Sequence, residues 1–158
     1  MIEKQIVIPY KPRDCQLEIH QALEDHRFAV VVAHRRLGKS VAAINQLIKS
    51  AVTNNLERPR YAYIAPTYAQ SKRVAWDYLL HFTQPLGAVA NISELRVDFW
   101  DRRIGLYGSD NPDSLRGSYF DGVVLDEVGD QNPRIWNEVI RPALADRKGW
   151  AMFIGTPK

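Results

Sequence analysis

Cysteine occurs once, at Cys15, in the 158 residues of the chain. One thiol excludes an internal disulfide, and the sequence therefore reads as that of a cytosolic protein. No apolar run approaches the ~20 residues that span a bilayer, and residues 5–9 are too few for the core of a signal peptide. The four histidines, His20, His26, His34 and His81, show no metal-ligand spacing, and Cys15 has no partner for one. Internal repeats and low-complexity tracts are absent. Charge of one sign is scarce too: 21 Lys and Arg against 18 Asp and Glu leave +3, which permits a nucleic-acid partner without requiring one. What remains, 46% hydrophobic and 25% charged, suffices for one globular domain with a core.

The chain is organised around residues 28–40, FAVVVAHRRLGKS. Residues 28–33 are apolar and predict a buried strand of a parallel sheet. After Ser40, Val41, Ile44, Leu47, Ile48 and Ala51 fall at helical spacing. Between strand and helix lies Ala33-His34-Arg35-Arg36-Leu37-Gly38-Lys39-Ser40, which meets the pattern G-x-x-x-x-G-K-[ST] everywhere except at Ala33. Such a loop aims backbone N–H groups at one point, where the helix dipole favours an anion. Lys39 would reach the β- and γ-phosphates of ATP and the Ser40 hydroxyl would ligate Mg²⁺.

The other elements follow in order. Asp14 is expected to cap a helix to about His26, and the helix after the phosphate loop to reach about Thr53. Residues 61–65, YAYIA, predict a second buried strand, and 69–82 a helix. Residues 95–100 and 103–107 predict a hairpin around Asp101-Arg102, followed by the polar loop GSDNPDSLRG. Residues 121–126 rise into a third buried strand, a helix runs from Pro133 through Ile140, and 150–154 is the last strand. Alternating strands and helices predict an α/β fold with a mostly parallel central sheet flanked by helices, and such sheets bind ligands at the C-terminal ends of their strands.

Asp126 and Glu127 end the apolar stretch VVL. A carboxylate at a strand tip, Asp126, would support the metal opposite Ser40, and Glu127 would activate water for attack on the γ-phosphate. A catalytic Glu beside the Asp points to the additional-strand class of P-loop ATPases.

PRDCQLEIHQAL, HRRLGKS, VVLDE and FIGTPK, in this order and spanning nearly the whole chain, resemble the ATPase domain of the terminase large subunit, which packages DNA into tailed-phage capsids. The resemblance implies further roles. Gln16 would contact adenine. Arg35 or Arg36 would sense the γ-phosphate in cis. Arg116, in SLRGSYFDG, would be an arginine finger for a neighbouring subunit's ATP, and Thr156, in GTP, would couple hydrolysis to movement. It also implies double-stranded DNA, the portal protein and the terminase small subunit as partners, a homo-oligomeric ring when assembled and a monomer in isolation, and the host cytoplasm with no membrane. Residues 1–158 would be a truncated ATPase domain without the RNase H-like nuclease. Two alternatives stay open: a superfamily 2 helicase, against which Val128-Gly129 follows the DE pair, and a nucleotide-gated DNA-binding or assembly module with little turnover alone. Lys72-Arg73 and Arg102-Arg103 are candidate DNA contacts, and the four tryptophans read as core.

Overall fold

The computed structural model describes residues 5–34 and 37–157. Seven strands form one sheet: β1 (Phe28–Val32), β2 (Arg60–Ala65), β3 (Val89–Asn91), β4 (Arg96–Phe99), β5 (Arg102–Gly108), β6 (Gly122–Leu125) and β7 (Trp150–Gly155), in the spatial order β1-β7-β6-β2-β5-β4-β3. The first five in that order run parallel, and β4 and β3 add an antiparallel margin. The expected hairpin is β4 and β5; β3, only three residues long, carries no alternation that would announce it. Helices α1 (Asp14–Asp25), α2 (Lys39–Thr53) and α3 (Tyr68–Thr83) lie on one face. The stretch from Ile135 to α4 (Arg141–Ala145) covers the other.

Two packed clusters hold the layers together. Ile44, Leu47, Ile48, Tyr63, Leu79, Ile104 and Leu106 are fully buried on the α1–α3 face. Ala62, Ile64, Val123, Leu125 and Ile140 fill the other. Truncating such a leucine or isoleucine to alanine costs about 2–5 kcal/mol. An exposed pair such as Lys49–Glu24 contributes about 0–1 kcal/mol, so packing rather than surface charge carries the fold.

Three expectations need correction. Strand β1 is not buried: it is the sheet's edge, and Phe28, Val30 and Val32 are 45%, 71% and 66% exposed. On that face Trp136 packs edge-on against Phe28 at the start of the strand. The residue before α1 is Arg13, not Asp14; its N–H is accepted by Gln16 Oε1 at 3.0 Å. The last helix does not end at Ile140 but continues as α4 through a π-helical turn, Trp136–Ile140. Pro142 explains the wider turn, because it lacks the N–H that Glu138 O would accept in an α-helix.

The N-terminal rim of the parallel strands is tied crosswise. Buried Asp121, just before β6, accepts the Arg60 N–H at 2.9 Å and Arg147 Nε at 2.9 Å. Arg147 also reaches Glu57 O, and Arg27, just before β1, donates to Gly149 O at 2.9 Å. Arg102 is occupied in the same structural way: it closes the C-terminus of α2, donating to Ala51 O and Asn54 O, while Arg103 pairs with Asp98. Lys72 and Arg73, on α3, are exposed.

His20 pins the N-terminal segment. Its Nδ1 lies 2.7 Å from Gln46 Oε1, an acceptor only, so Nδ1 carries the proton and Nε2 accepts the Tyr10 hydroxyl at 2.8 Å. Burial is the main cause holding its pKa below the ordinary value. The unfolded chain therefore binds this proton more readily, and stability is lost as pH falls below about 6.5. Melting temperatures should drop between pH 7.5 and 5.5, and His20→Gln should flatten that slope; parallel slopes for parent and variant would contradict the assignment.

Candidate functional site

The site lies at the C-terminal rim of the parallel strands, at the N-terminus of α2. Gly38 precedes that helix with φ +71°, a conformation an L side chain adopts only with strain. A Cβ there would lie 2.6 Å from Arg13 Nη2 and 2.7 Å from Gln16 Nε2, ends of side chains that would have to move, so it is the turn that requires glycine. Among the described residues no side chain caps α2. Its first turn borders a cavity of about 510 Å³ lined by Gly38, Lys39, Ser40 and Val41 and also by Arg73 and Asp77 of α3. An uncapped N-terminus of a 15-residue helix bordering a cavity beside a lysine suits a phosphate group.

Lys39 is buried, 5% exposed. Its Nζ donates to Ala33 O at 2.9 Å, to Gly155 O at 3.4 Å and to Thr156 Oγ1 at 2.5 Å. The Thr156 hydroxyl in turn donates to Glu127 Oε1 at 2.8 Å. One threonine thus links the lysine of the phosphate loop to the glutamate expected to activate water. It can do so because β7 lies between β1 and β6 and carries Thr156 off its end.

Asp126 is buried at the tip of β6. Burial, reinforced by the neighbouring Glu127 carboxylate, raises its pKa, and the hydrogen bond donated by the Tyr63 hydroxyl opposes that shift. The Tyr63 phenol is itself held far above its usual pKa, by burial first and by the Asp126 carboxylate beside it. Glu127 has φ +45°, and its N–H donates to Asp126 Oδ1 at 2.9 Å. A non-glycine residue there stores about 1–3 kcal/mol of strain, a cost commonly found at functional positions. Beneath it, Gln131 Nε2 donates to Ile64 O and Asp126 O, fixing the tips of β2 and β6 together. Sequence reasoning missed Tyr63 and Gln131; the only signal was a hydroxyl in the otherwise apolar centre of YAYIA.

Among the described residues no group of three or more His, Cys, Asp or Glu could hold a metal. One carboxylate with a serine hydroxyl is the donor set of a magnesium ion that takes its remaining ligands from phosphate and water. Ser40 and Asp126 fit that description.

The remaining expected residues fall into three groups. Gln16 is buried, and both ends of its amide are engaged: Oε1 by Arg13 N–H and Nε2 on Gly38 O at 2.9 Å. It supports the phosphate loop, and reading adenine would require exchanging those bonds. His34 is exposed at the start of the loop, and Leu37 N donates back to His34 O at 3.1 Å. Arg35 and Arg36 lie outside the described residues. Arg116 stands apart from the lysine–threonine–glutamate chain: its Nε donates to Asp113 Oδ1 at 3.1 Å and its Nη2 lies 3.9 Å from Glu138 Oε2.

No family model matches the chain. It is similar to terminase large subunits of Thermus phage G20c and Thermus virus P23-45, 32% identical to each across 96% of its own length and 35% of theirs. It thus spans about a third of those relatives. The large terminase ATPase domain of Thermus phage P74-26 superposes with a TM-score of 0.82 at 28% identity, over 96% of this chain and 67% of that domain. The large terminase of bacteriophage HK97 gives 0.75 at 12% identity, over 94% of this chain and 33% of that one, a likeness of fold.

The raised pKa of Asp126 has a thermodynamic consequence. Its ionisation is harder in the folded chain, so stability is lost as pH rises from the unfolded carboxylate value, about 3.9, through the folded one. Asp126→Asn removes that cost, while its single oxygen can accept from only one of the Tyr63 hydroxyl and the Glu127 N–H. The fixed loss of one acceptor is the same at every pH, so the variant's melting temperature relative to the parent should be highest at pH 7 and fall as pH is lowered; a difference independent of pH would contradict this account.

Proposed function

We propose that this chain, which is similar to terminase large subunits and takes the fold of a large terminase ATPase domain, binds ATP with Mg²⁺ and hydrolyses it to drive double-stranded DNA into a viral procapsid. The observation that carries the reading is the chain Lys39–Thr156–Glu127 at the uncapped end of α2. Lys39 and the N–H groups of α2 hold the phosphates, with Ala33, Gly38 and Leu37 shaping the loop and Gln16 bracing it. Ser40 and Asp126 hold the metal. Mg²⁺, when bound, supplies positive charge against the phosphate oxygens. Glu127 Oε accepts the proton of the attacking water, and Thr156 Oγ1 keeps that carboxylate oriented. Because Thr156 follows β7 directly, the same hydroxyl reports the state of the phosphate loop to the strand, which supports its coupling role.

Arg116 is read as a finger that serves the ATP of a neighbouring subunit, with Arg35 or Arg36 sensing the γ-phosphate in cis. Its partners among the described residues, Asp113 and Glu138, are not members of the site's own hydrogen-bond chain, which supports the trans reading. A homo-oligomeric ring, the portal protein and the terminase small subunit complete the proposed assembly. The ring works in the host cytoplasm, and no described helix is long and apolar enough to cross a membrane. Residues 1–158 are assigned to the ATPase part of the protein, and no nuclease centre is assigned to them.

Two substitutions test this. Lys39→Ala removes a charge-assisted contact worth about 1.5–3 kcal/mol, so ATP affinity by calorimetry should fall roughly tenfold or more; unchanged affinity would sink the phosphate site. Glu127→Gln should bind ATP as the parent does and turn it over about 10²–10⁴-fold more slowly. Parental turnover in that variant would leave Glu127 a loop acid.

A further inference from the structure

Arg116 is held along one edge only. Asp113 engages Nε at 3.1 Å, and Glu138 stands 3.9 Å from Nη2. Its Nη1 donors meet no partner among the described residues, and the side chain is 54% exposed. A guanidinium has five N–H donors in a rigid fork, so one edge can be anchored while the other is offered outward. Arg134 Nε lies 3.6 Å from the other oxygen of Glu138. The Glu138 carboxylate is therefore shared between two arginines and does not fully neutralise either.

The backbone under Glu138 is unusual in a way the sequence accounts for. Glu138 sits in the π-helical turn Trp136–Ile140, closed by Arg141 N–H donating to Trp136 O. Pro142, which forces that turn, is followed by the packed Ala143 and Leu144, so the turn is fixed from below. Widened turns of this kind recur at functional positions. On the outer side, a cavity of about 400 Å³ is lined by Arg116, Gly117, Ser118 and Glu138. An exposed pair at helical spacing, such as Arg134–Glu138, contributes little to stability.

We propose that Glu138 is the positioning residue for Arg116: seated on the rigid turn, it fixes the inner edge of the guanidinium so that the Nη1 edge projects toward the phosphates of a nucleotide bound by the adjoining subunit. The proposal rests on the reading of Arg116 as a finger in trans. It assigns Glu138 no contact with the nucleotide.

ATP turnover of Glu138→Gln, Arg116→Ala and the double variant is to be measured in the assembled motor and in the isolated chain. Misplacing a catalytic group by about 1 Å can cost up to ~10²-fold, so Glu138→Gln should lower kcat of the assembly about tenfold or more. It should leave KM for ATP, turnover of the isolated chain and its melting temperature unchanged. The double variant should be no slower than Arg116→Ala alone, because the two side chains act as one unit. A parental rate for Glu138→Gln while Arg116→Ala is crippled overturns the positioning role and leaves the finger standing. An equal loss in the isolated chain, or a double variant slower than Arg116→Ala, also overturns it. If Arg116→Ala itself runs at the parental rate in the assembly, the finger reading fails first and this proposal with it.

Discussion

The buried ammonium of Lys39 needs oxygen partners, and they come from the C-terminal rim of the sheet: the carbonyl of Ala33 beyond β1, the carbonyl of Gly155 at the end of β7 and the hydroxyl of Thr156 just after it. A buried ammonium without such partners would cost several kcal/mol. The need constrains topology. β7 must enter between β1 and β6, although β6 precedes it in the chain, and its end must stop within reach of both the loop lysine and Glu127. Given that placement, Thr156 stands between Lys39 and Glu127, and Lys39 itself borders the cavity at the start of α2.

Stability has been given up at the same place. Glu127 adopts a left-handed backbone, Asp126 is buried beside another carboxylate, and Gln131 Oε1 is a buried acceptor without a partner among the described residues. These costs lie within a few residues of one another, at the tips of β6 and β2, while the packed clusters beneath are continuous. A locally expensive rim on a well-packed base is what a pre-organised site requires.

Much of this was legible in the sequence, for identifiable reasons. Strand, loop and helix around GKS follow from an apolar run changing to helical spacing, and VVLDE marks a strand tip because the acids end the run. The exposure of β1 was not legible: five apolar residues read alike whether a strand is central or marginal, and only strand order decides. Gln16 was visible as a polar residue ahead of the loop, but its engagement with Gly38 and Arg13 depends on how α1 packs. Tyr63 and Gln131 act through tertiary contacts with no motif. The π-helical turn follows from Pro142 only once a helix is known to continue through it.

The crosswise ties at the opposite end of the sheet bear on how force would travel. Asp121 fastens β6 to β2 and to Arg147, and Arg27 fastens β1 to the residue before β7. All these bonds sit where the strands begin, and the nucleotide rim lies where they end. With the starting ends fixed, a displacement at Thr156 cannot slide β7 along its neighbours, since that would break ladder and ties together. It has to appear as a tilt about the fastened end. The sheet would then work as a lever with a fixed pivot, turning a small shift at one hydroxyl into a rotation of whatever rests on the far surface.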